Sequence, residues 1–363
     1  MENAPSLPDD PVSAAEALIA ENRAEEAATL LQACLGANRG GLLLRLTLQK
    51  ALLAKGDVEA ALAVGRDTTL LSPDAAPAVL ALGDVLRAGS YLPAAIGEYQ
   101  RALRLDPRLD AARIGMGLAW LDAGEAGKAL DTWREVRPED WAALPQMIAE
   151  AEAVLAQSRS DPRYVRHLFD QFAPEYDTRM VEHLHYRAPA ILRELGDMLG
   201  LGFTGPHAIL DLGCGTGLMG TASQGLADRL DGVDLSPLMI EKARERGIYD
   251  SLFQSDIVDW LAACDRRYDL VFAADTLVYL GELTSLFAGL SPVLSPGGHF
   301  LFTVEAKDGE GFELGPKRRW RHSEAYLRSV AEGAGLEFAA IVTCALRTEA
   351  TVPVQGFAVA LRA

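Results

Sequence analysis

The chain has 363 residues, of which 49% are hydrophobic, so it is long enough for two folded domains and too apolar to be disordered throughout. Its formal net charge of -17 repels phosphate backbones, which disfavours nucleic acid as a substrate or partner. The four cysteines are scattered and no Cys/His cluster is present, which argues against a metal site and a disulfide framework. Because we find neither a basic leader followed by an apolar run nor a stretch of about 18 apolar residues, we expect a cytoplasmic protein that does not enter membranes.

The first half of the chain repeats a pattern of large and small residues, with equivalent positions such as Leu82-Gly83 and Met116-Gly117. Ala95, Tyr99, Ala102 and Pro107 complete one copy of this pattern. Over about residues 12–140 it resembles the tetratricopeptide repeat family, in which helix pairs stack into a solenoid. The resemblance implies a protein partner bound through the repeats, and an unrelated helical bundle is the alternative. A further helix over Asp140 to Ser158 is expected to cap the array.

A polar stretch that ends in a proline, Ser158 to Pro162, predicts a junction between two domains. The two domains are expected to span residues 12–158 and 160–363. Beyond it, short apolar strands alternate with helical stretches, which predicts a parallel sheet with helices on both faces. The predicted strands are 208–212, 230–233, 251–254, 270–273, 299–304, 337–342 and 356–361. Too few residues separate the last two for a crossover helix, so we expect them to form a terminal antiparallel hairpin.

The most informative segment follows the first predicted strand. Asp211 stands near the strand end and is followed by Gly213, Gly215 and Gly217, which permit a tight turn and close approach of a ligand to the backbone. A carboxylate there repels a pyrophosphate and attracts a cation, so the charge favours S-adenosylmethionine, with its ammonium and sulfonium groups, over NAD. A nucleotide or flavin fold, or a fold that binds nothing, is the alternative.

Three more acidic residues follow later predicted strands. Asp234 lies about 20 residues beyond the glycines, where an acid accepts hydrogen bonds from both ribose hydroxyls. Asp256, followed by Ile257, ends the third strand, where an acid can accept from an adenine amine. Asp275 follows the fourth strand on the side that faces a substrate. Each of the three is also a good helix cap or turn residue, so a purely structural role is the alternative.

Residues 160–363 resemble a class I, Rossmann-like methyltransferase. The resemblance rests on Asp211 to Gly217, on the segment Tyr164 to Asp177, and on two later stretches, His322 to Tyr326 and Leu346 to Gly356. It implies a seven-stranded sheet whose last strand is antiparallel, so the whole chain is expected to be an α-solenoid followed by an α/β domain. The whole chain is similar to a bacterial group of predicted methyltransferases that contain tetratricopeptide repeats.

The same resemblance implies roles for individual residues. Asp211 and the backbone near Gly213 are expected to hold the methionine end of the cofactor, Asp234 the ribose, and Asp256 with Ile257 the adenine. Tyr176 is expected to close over the methionine carboxylate. We assign to the same cofactor site Gly215, Gly217, Leu235, Met239 and Ala273.

The sequence leaves the methyl acceptor open. Methyl transfer from a sulfonium is a direct displacement in which a general base is optional, so no catalytic triad is required. Asp275 and His322 are the candidate catalytic residues, and the basic cluster Lys317 to Arg321 is a candidate receptor for an anionic substrate. The run Ala274 to Tyr279 lacks the Asn/Asp-Pro-Pro-aromatic pattern of enzymes that methylate base amines or glutamine.

We therefore predict methyl transfer from S-adenosylmethionine to a small molecule. The first alternative is methylation of a protein or peptide captured by the repeats, whose concave surface suits peptides. The second alternative is a scaffold without catalytic activity that senses S-adenosylmethionine.

Overall fold

A computed structural model of the protein describes residues 7–136, 141–180, 184–201, 207–315, 318–349 and 352–363. The chain divides into two compact units, Met1–Ala156 and Gln157–Ala363.

The described residues of the first unit form nine α-helices. Each helix contacts the next one along the chain, and the odd-numbered helices from α1 to α7 also contact one another, so that helix pairs stack side by side. The nine helices are α1 (Pro11–Ala20), α2 (Ala24–Gly36), α3 (Leu42–Lys55), α4 (Val58–Leu71), α5 (Ala76–Ala88), α6 (Leu92–Leu105), α7 (Asp110–Asp122), α8 (Ala126–Trp133) and α9 (Leu144–Leu155).

Glycines in this unit lie where large rings fill the space between helices. A Cβ atom added to Gly83 or Gly115 would lie 2.8 or 2.6 Å from the ring of Tyr99. The buried Tyr99 hydroxyl donates to Asp84 over 2.8 Å, which satisfies its polar end. These contacts explain physically why glycine and a large aromatic residue recur in the sequence pattern. The helix expected from Asp140 is α9, which begins at Leu144, and Asp140 itself lies outside the described residues.

The described residues of the second unit contain eight further α-helices, α10 to α17. They are α10 (Pro162–Phe172), α11 (Tyr176–Thr178), α12 (Ala188–Met198), α13 (Leu218–Ser223), α14 (Pro237–Glu245), α15 (Ile257–Ala263), α16 (Thr284–Leu290) and α17 (Glu324–Gly333).

One mixed sheet runs through this unit, with nine strands among the described residues. The parallel part has the order β3-β2-β1-β4-β5, β9 pairs antiparallel with both β5 and β8, and the short β7 and β6 extend the far end of β5. The strands are β1 (His207–Leu212), β2 (Ala227–Asp234), β3 (Ser251–Gln254), β4 (Tyr268–Ala273), β5 (Leu294–Ala306), β6 (Phe312–Leu314), β7 (Trp320–His322), β8 (Glu337–Glu349) and β9 (Val352–Arg362).

Alternate residues of the central strands face opposite sides of the sheet. Leu210 of β1 and Phe300 of β5 join a core with helices α15 to α17, whereas Ile209 and Leu301 join a second core with α12 and α13. The expected parallel sheet with helices on both faces is therefore confirmed, as is the terminal antiparallel hairpin.

The expected number of seven strands is wrong, because β6 and β7 add a short ribbon. Both are three residues long and carry charged residues, so neither has the apolar run that marks a strand in the sequence. Among the residues that the structure describes, no helix is long and apolar enough to cross a membrane, and no group of His, Cys, Asp and Glu side chains is placed to hold a metal ion.

Candidate functional site

The glycine turn connects β1 to α13. Gly213, Gly215 and Gly217 have φ angles of 68°, 54° and 92°, in the left-handed region that favours glycine. A Cβ added to Gly213 would lie 2.3 Å from the Thr276 side chain, whereas one added to Gly215 meets no protein atom within 4 Å. The turn is thus packed on one side and open at Gly215.

Asp234 ends β2 and fixes this turn. Its carboxylate accepts a hydrogen bond from the Gly215 amide over 2.9 Å and another from the Ser236 amide over 2.8 Å. Burial raises the pKa of Asp234 to about 6, because the charged form loses its hydration, and the nearby Asp170 carboxylate adds to the rise. Helix α14 is capped by Ser236, whose hydroxyl accepts from the Met239 amide, so Asp234 is not the helix cap that the sequence allowed.

Asp211 lies beneath the turn. Its Oδ2 accepts a hydrogen bond from the Tyr249 hydroxyl over 2.7 Å, and its Oδ1 is buried without a hydrogen-bond partner among the described residues. Burial raises the pKa of this carboxyl to about 7, against the lowering effect of Tyr249. An incompletely satisfied buried carboxylate behind the turn favours a positively charged group nearby.

Asp256 follows β3 and caps α15. Its Oδ1 accepts from the Val258 amide over 2.9 Å, and its Oδ2 forms an ion pair with Arg159. Asp256 therefore has the helix-capping role that the sequence analysis gave as the alternative. Its carboxylate also lines the cleft described next.

A cleft of about 660 Å³, a volume that includes space open to solvent, lies at the carboxyl edge of the sheet. Eight of the residues that the sequence singled out line it, namely Tyr176, Gly213, Gly215, Asp234, Leu235, Asp256, Ile257 and Asp275. The other four residues of the predicted cofactor site do not line it: Asp211, Gly217, Met239 and Ala273. Met239 and Ala273 are fully buried, and the Gly217 backbone packs against Arg246, so these residues support the cleft from behind.

Sequence reasoning missed several residues that line the cleft. Arg159, Phe169, Thr276 and Tyr279 all lie on its wall. Phe169 packs edge-on against Tyr176, with ring centroids 6.0 Å apart, and against Tyr279 at 5.5 Å. Phe169 lies on an amphipathic helix, where the sequence pattern predicts an ordinary core residue. No local pattern therefore identifies it as part of a site.

The first part of this unit, residues 158–180, is bonded to three strand ends, and we call it the cover segment. Arg159 pairs with Asp256, and Asp170 accepts a hydrogen bond of 2.5 Å from the Ser236 hydroxyl. Asp177 accepts a hydrogen bond of 2.5 Å from Thr216 in the glycine turn and pairs with Arg246. The cover segment therefore closes one side of the cleft through charged contacts.

A second cavity of about 1390 Å³, a volume that includes space open to solvent, adjoins the cleft, and we call it the open cavity. Phe169, Tyr176, Asp275 and Tyr279 line both spaces, so they form the wall between them. The far side of the cavity carries Arg179, Arg318, Arg319 and Glu349 together with apolar side chains.

Asp275 is held in a buried ionic network. Both of its carboxylate oxygens accept from one Arg347 nitrogen, over 2.8 and 3.0 Å, and Arg347 also bonds Glu305 and Glu349. Burial raises the pKa of Asp275, and the Arg347 guanidinium opposes the rise. Its φ of 58° is unusual for a residue other than glycine and marks a backbone that the surroundings hold in place.

His322 has a different environment from the one expected of an acid–base residue. It is buried, lines neither cavity, and its Nε2 donates to the Gly281 carbonyl over 3.0 Å. Burial lowers its pKa to about 4, so the ring is neutral near pH 7. Of the basic cluster, Lys317 lies outside the described residues, Arg318 and Arg319 line the open cavity, and Arg321 pairs with Glu313 at 2.8 Å.

Comparison with known proteins places this site in context. Residues 209–298 match the family described as "Methyltransferase domain". The chain is 32% identical over 146 residues to the malonyl-[acyl-carrier protein] O-methyltransferase of Serratia marcescens, a match that covers 39% of the chain and 56% of that protein. It is 43% identical over 94 residues to the trans-aconitate 2-methyltransferase of Escherichia coli O1:K1 / APEC, covering 25% of the chain and 36% of that protein.

A crystal structure of the magnesium protoporphyrin IX methyltransferase (ChlM) from Synechocystis PCC 6803 with bound SAM superposes with a TM-score of 0.42 at 17% identity, covering 55% of the chain and 96% of that protein. The chain spans about half the length or less of the curated relatives that it matches. The family match begins in β1 and ends in β5, and so contains the glycine turn, Asp234, Asp256 and Asp275. Residues 209–298 are therefore similar to methyltransferase domains, and the chain shares a partial match with each of the two named methyltransferases.

Proposed function

We propose that this protein transfers a methyl group from S-adenosylmethionine to a small-molecule acceptor. The observation that carries the proposal is the glycine turn at the edge of an acidic cleft, where Gly215 is open and Asp234 bonds its amide. The cleft wall carries Asp234, Asp256 and Asp275, and Arg159 is the one basic residue among its described lining residues. Asp256 and Asp275 are paired with Arg159 and Arg347, whereas the Asp234 carboxylate is hydrogen-bonded by backbone amides, and its negative charge suits a ligand with a sulfonium and an ammonium.

The residues of the cleft fit this cofactor. The space at Gly215, which a Cβ would fill, allows a ligand to approach the backbone closely. The Asp234 carboxylate keeps free lone pairs for the ribose hydroxyls, and Asp256 with Ile257 is assigned to the adenine. Gly213 and Tyr176 are assigned to the methionine end, with Asp211 supplying negative charge from beneath the turn.

The chemistry that the bound cofactor supplies is a methyl group already activated by a positive sulfur. The protein's task is to place an acceptor atom in line at roughly 3 Å and to exclude water. The aromatic wall of Phe169, Tyr176 and Tyr279 lies between the two cavities, where it can orient an acceptor and keep water out. The cover segment, bonded to three strand ends, holds Phe169 and Tyr176 in this position.

The helical unit is proposed to be a tetratricopeptide solenoid over 12–158 that binds a protein partner, with the methyltransferase domain over 160–363. Support comes from the stacked helix pairs and from the close contacts of Gly83 and Gly115 with Tyr99.

Transfer of an isotopic label tests the proposed function. Extract incubated with the protein and S-adenosylmethionine that carries a deuterated methyl group is expected to yield a labelled small molecule, detected by mass spectrometry. A chain that lacks residues 1–156 is expected to keep this activity, because the second unit has its own two hydrophobic cores. Label found only in protein, and only with the full chain, would instead indicate a peptide acceptor captured by the helical unit. Cofactor binding without any labelled product would indicate a sensor.

A further inference from the structure

Asp275 is the carboxylate that the cleft and the open cavity share. The other described residues that line both spaces are aromatic, namely Phe169, Tyr176 and Tyr279. Burial raises the pKa of Tyr279 to about 12 and raises that of Tyr176 as well, so both hydroxyls stay protonated near pH 7. The described linings of the two cavities contain no histidine, lysine or cysteine. Asp275 is therefore the shared group that can take up a proton.

The sequence allowed Asp275 to cap the helix that follows, and the structure shows no such role. The next helical turn, Leu277–Tyr279, begins after Thr276 without a side-chain hydrogen bond at its start. Among the residues that the structure describes, Arg347 is the only hydrogen-bond partner of the Asp275 carboxylate, at 2.8 and 3.0 Å from its two oxygens. Since each carboxylate oxygen can accept two hydrogen bonds, Asp275 keeps acceptor capacity for a ligand on both oxygens.

The backbone at Asp275 is fixed at two successive residues. The Tyr186 hydroxyl donates to the Ala274 carbonyl over 3.2 Å, and the Asp275 amide donates to the Thr303 hydroxyl over 2.8 Å. These bonds hold Asp275 at a φ of 58°, a conformation that is unfavourable for residues other than glycine and is found most often at functional sites. The position of this carboxylate therefore indicates a role in binding or catalysis.

Arg347 is enclosed and does not itself meet a ligand. Its side chain is 1% exposed, and it is absent from the described linings of both cavities. Its three guanidinium nitrogens each bond a carboxylate: Nη1 bonds Asp275, Nε bonds Glu349 over 2.7 Å, and Nη2 bonds Glu305. A buried ion pair is weak evidence for stability, because removing both charges from water is unfavourable. Arg347 acts on the cavities through Asp275, whose carboxylate it orients.

We propose that Arg347 is a positioning residue for methyl transfer, and that it holds Asp275 where this carboxylate accepts the proton of an O–H or N–H group on the methyl acceptor. This assignment rests on the proposed function and adds the step that removes the proton. The bond between the acceptor atom and the methyl group forms as the methyl–sulfur bond breaks, and the electron pair of the broken bond stays on sulfur. The proton moves to an Asp275 oxygen and then passes to water through the open cavity, so the reaction needs no oxidant or reductant.

The groups that face Asp275 act on its basicity in opposite directions. Burial raises the pKa of Asp275, the guanidinium groups of Arg347 and Arg319 lower it, and the carboxylates of Glu305 and Glu349 raise it. The titratable hydroxyls that face it belong to Tyr176, Tyr186 and Tyr279. Because burial is the largest of these effects, the carboxylate is a stronger base than one in water, while Arg347 favours its ionised form.

The chemical class of the product tests the need for a base while the acceptor is still unidentified. Extract is labelled by the full chain with S-adenosylmethionine that carries a deuterated methyl group, and the labelled small molecule is then treated with mild alkali. We expect the label to stay attached, since an acceptor with an O–H or N–H group yields an ether or a methylated amine. Release of labelled methanol would indicate a methyl ester, whose carboxylate acceptor has no proton to lose at neutral pH. That result would overturn the inference and leave the proposed function intact.

Asp275→Asn keeps the shape of the side chain and removes its capacity to take up a proton. We expect the initial rate of label transfer to fall by about 100-fold or more, while calorimetric binding of S-adenosylhomocysteine stays unchanged. Asp231→Asn is the matched control and is expected to transfer at the normal rate. Asp231 is also a buried carboxylate bonded by an arginine, Arg266 at 3.0 Å, and it is absent from the described linings of both cavities. A normal rate in Asp275→Asn would overturn the proposal.

The pH dependence of the rate at saturating S-adenosylmethionine tests the role of Arg347. Transfer is expected to slow as the pH drops through the pKa of Asp275, because only the ionised carboxylate accepts a proton. Loss of the neighbouring positive charge raises that pKa, so the acidic limb of the profile is expected to move to higher pH in Arg347→Gln. A smaller move in the same direction is expected in Arg347→Lys, which keeps a cation but forms fewer hydrogen bonds.

A purely structural role of Arg347 would lower the free energy of unfolding in both variants without moving the acidic limb. A limb at the wild-type position in either folded variant would therefore contradict the positioning role. Absence of S-adenosylhomocysteine binding by the unaltered protein is a separate outcome, since it would overturn the proposed function itself and this inference with it.

Discussion

Gly213 and Gly215 have similar backbone conformations and different surroundings. Both have a positive φ, so any side chain is strained at either position. At Gly213 a Cβ would collide with Thr276, whereas at Gly215 it would project into open space beside the cleft. A substitution at Gly213 therefore tests the stability of the turn, whereas a substitution at Gly215 tests its capacity to bind a ligand.

Alanine substitutions test this difference. We expect Gly213→Ala to lower the free energy of unfolding by about 2–4 kcal/mol, because it combines backbone strain with a collision, and Gly215→Ala to lower it by only about 1 kcal/mol. Gly215→Ala is nevertheless expected to weaken cofactor binding by at least about tenfold, because the methyl group occupies ligand space. Denaturant unfolding and calorimetry provide the two measurements. Wild-type affinity in Gly215→Ala would show that the ligand does not approach this backbone.

The place of individual residues at the cleft was predictable from the sequence where a short motif fixes it. Asp234 and Gly215 follow from their spacing after an apolar strand, and the structure joins them by a hydrogen bond of 2.9 Å. Arg159 and Phe169 were not predictable in this way, since tertiary contacts bring them to the cleft from residues that precede the sheet. The direction of the Asp211 side chain, towards Tyr249 and away from the lining, likewise depends on packing that the motif does not encode.

At the scale of elements, the cover segment is held by charged contacts to the loops that follow β1, β2 and β3. Asp177 bonds both Thr216 and Arg246, which ties the short helix α11 to the glycine turn. Because the contacts involve partly exposed side chains, they are weak individually, and the segment is expected to open for cofactor exchange.

Loosening the Asp177 contact tests this role. Asp177→Ala is expected to speed dissociation of S-adenosylhomocysteine by about threefold to tenfold in stopped-flow measurements, with a change in unfolding free energy below about 1 kcal/mol. Glu175→Ala, at an exposed position two residues earlier, is the control and is expected to keep the wild-type rate. A wild-type dissociation rate in Asp177→Ala would show that α11 does not limit exchange.

The strands of the parallel core were predictable as elements because each is an apolar run between turn residues. The longer β8 and β9 were predicted only in part, as 337–342 and 356–361, because charged residues near the end of β8 and Pro353 near the start of β9 interrupt the apolar runs. Pairing with each other extends them to Glu337–Glu349 and Val352–Arg362, an effect of tertiary structure that the local sequence pattern does not show.

At the scale of the whole molecule, the chain joins a stack of helix pairs to a sheet domain with its own cores. The periodic glycine and aromatic positions made the helical unit predictable as stacked pairs, while its assignment to the tetratricopeptide family remains a prediction. Two acidic residues at and behind the cleft are buried, and burial raises the pKa of Asp234 to about 6 and that of Asp211 to about 7. These carboxyls take up protons just below neutral pH in the ligand-free protein.

A cationic ligand must therefore compete with protons at the cleft. Since it favours the ionised carboxylates, its affinity is expected to be highest above about pH 7 and to fall as the pH drops through the pKa values of Asp211 and Asp234. NAD carries a pyrophosphate and is expected to show the opposite preference or no binding.

Isothermal titration calorimetry of the full chain with S-adenosylmethionine and with NAD tests the central claim most directly. We predict micromolar binding of S-adenosylmethionine at about pH 8, weaker binding at about pH 5.5, a large loss of affinity in Asp234→Ala, and no heat with NAD. Absence of heat with S-adenosylmethionine at both pH values, or tighter binding of NAD, would contradict the claim that these strand-end carboxylates and the glycine turn form a site for a positively charged nucleoside.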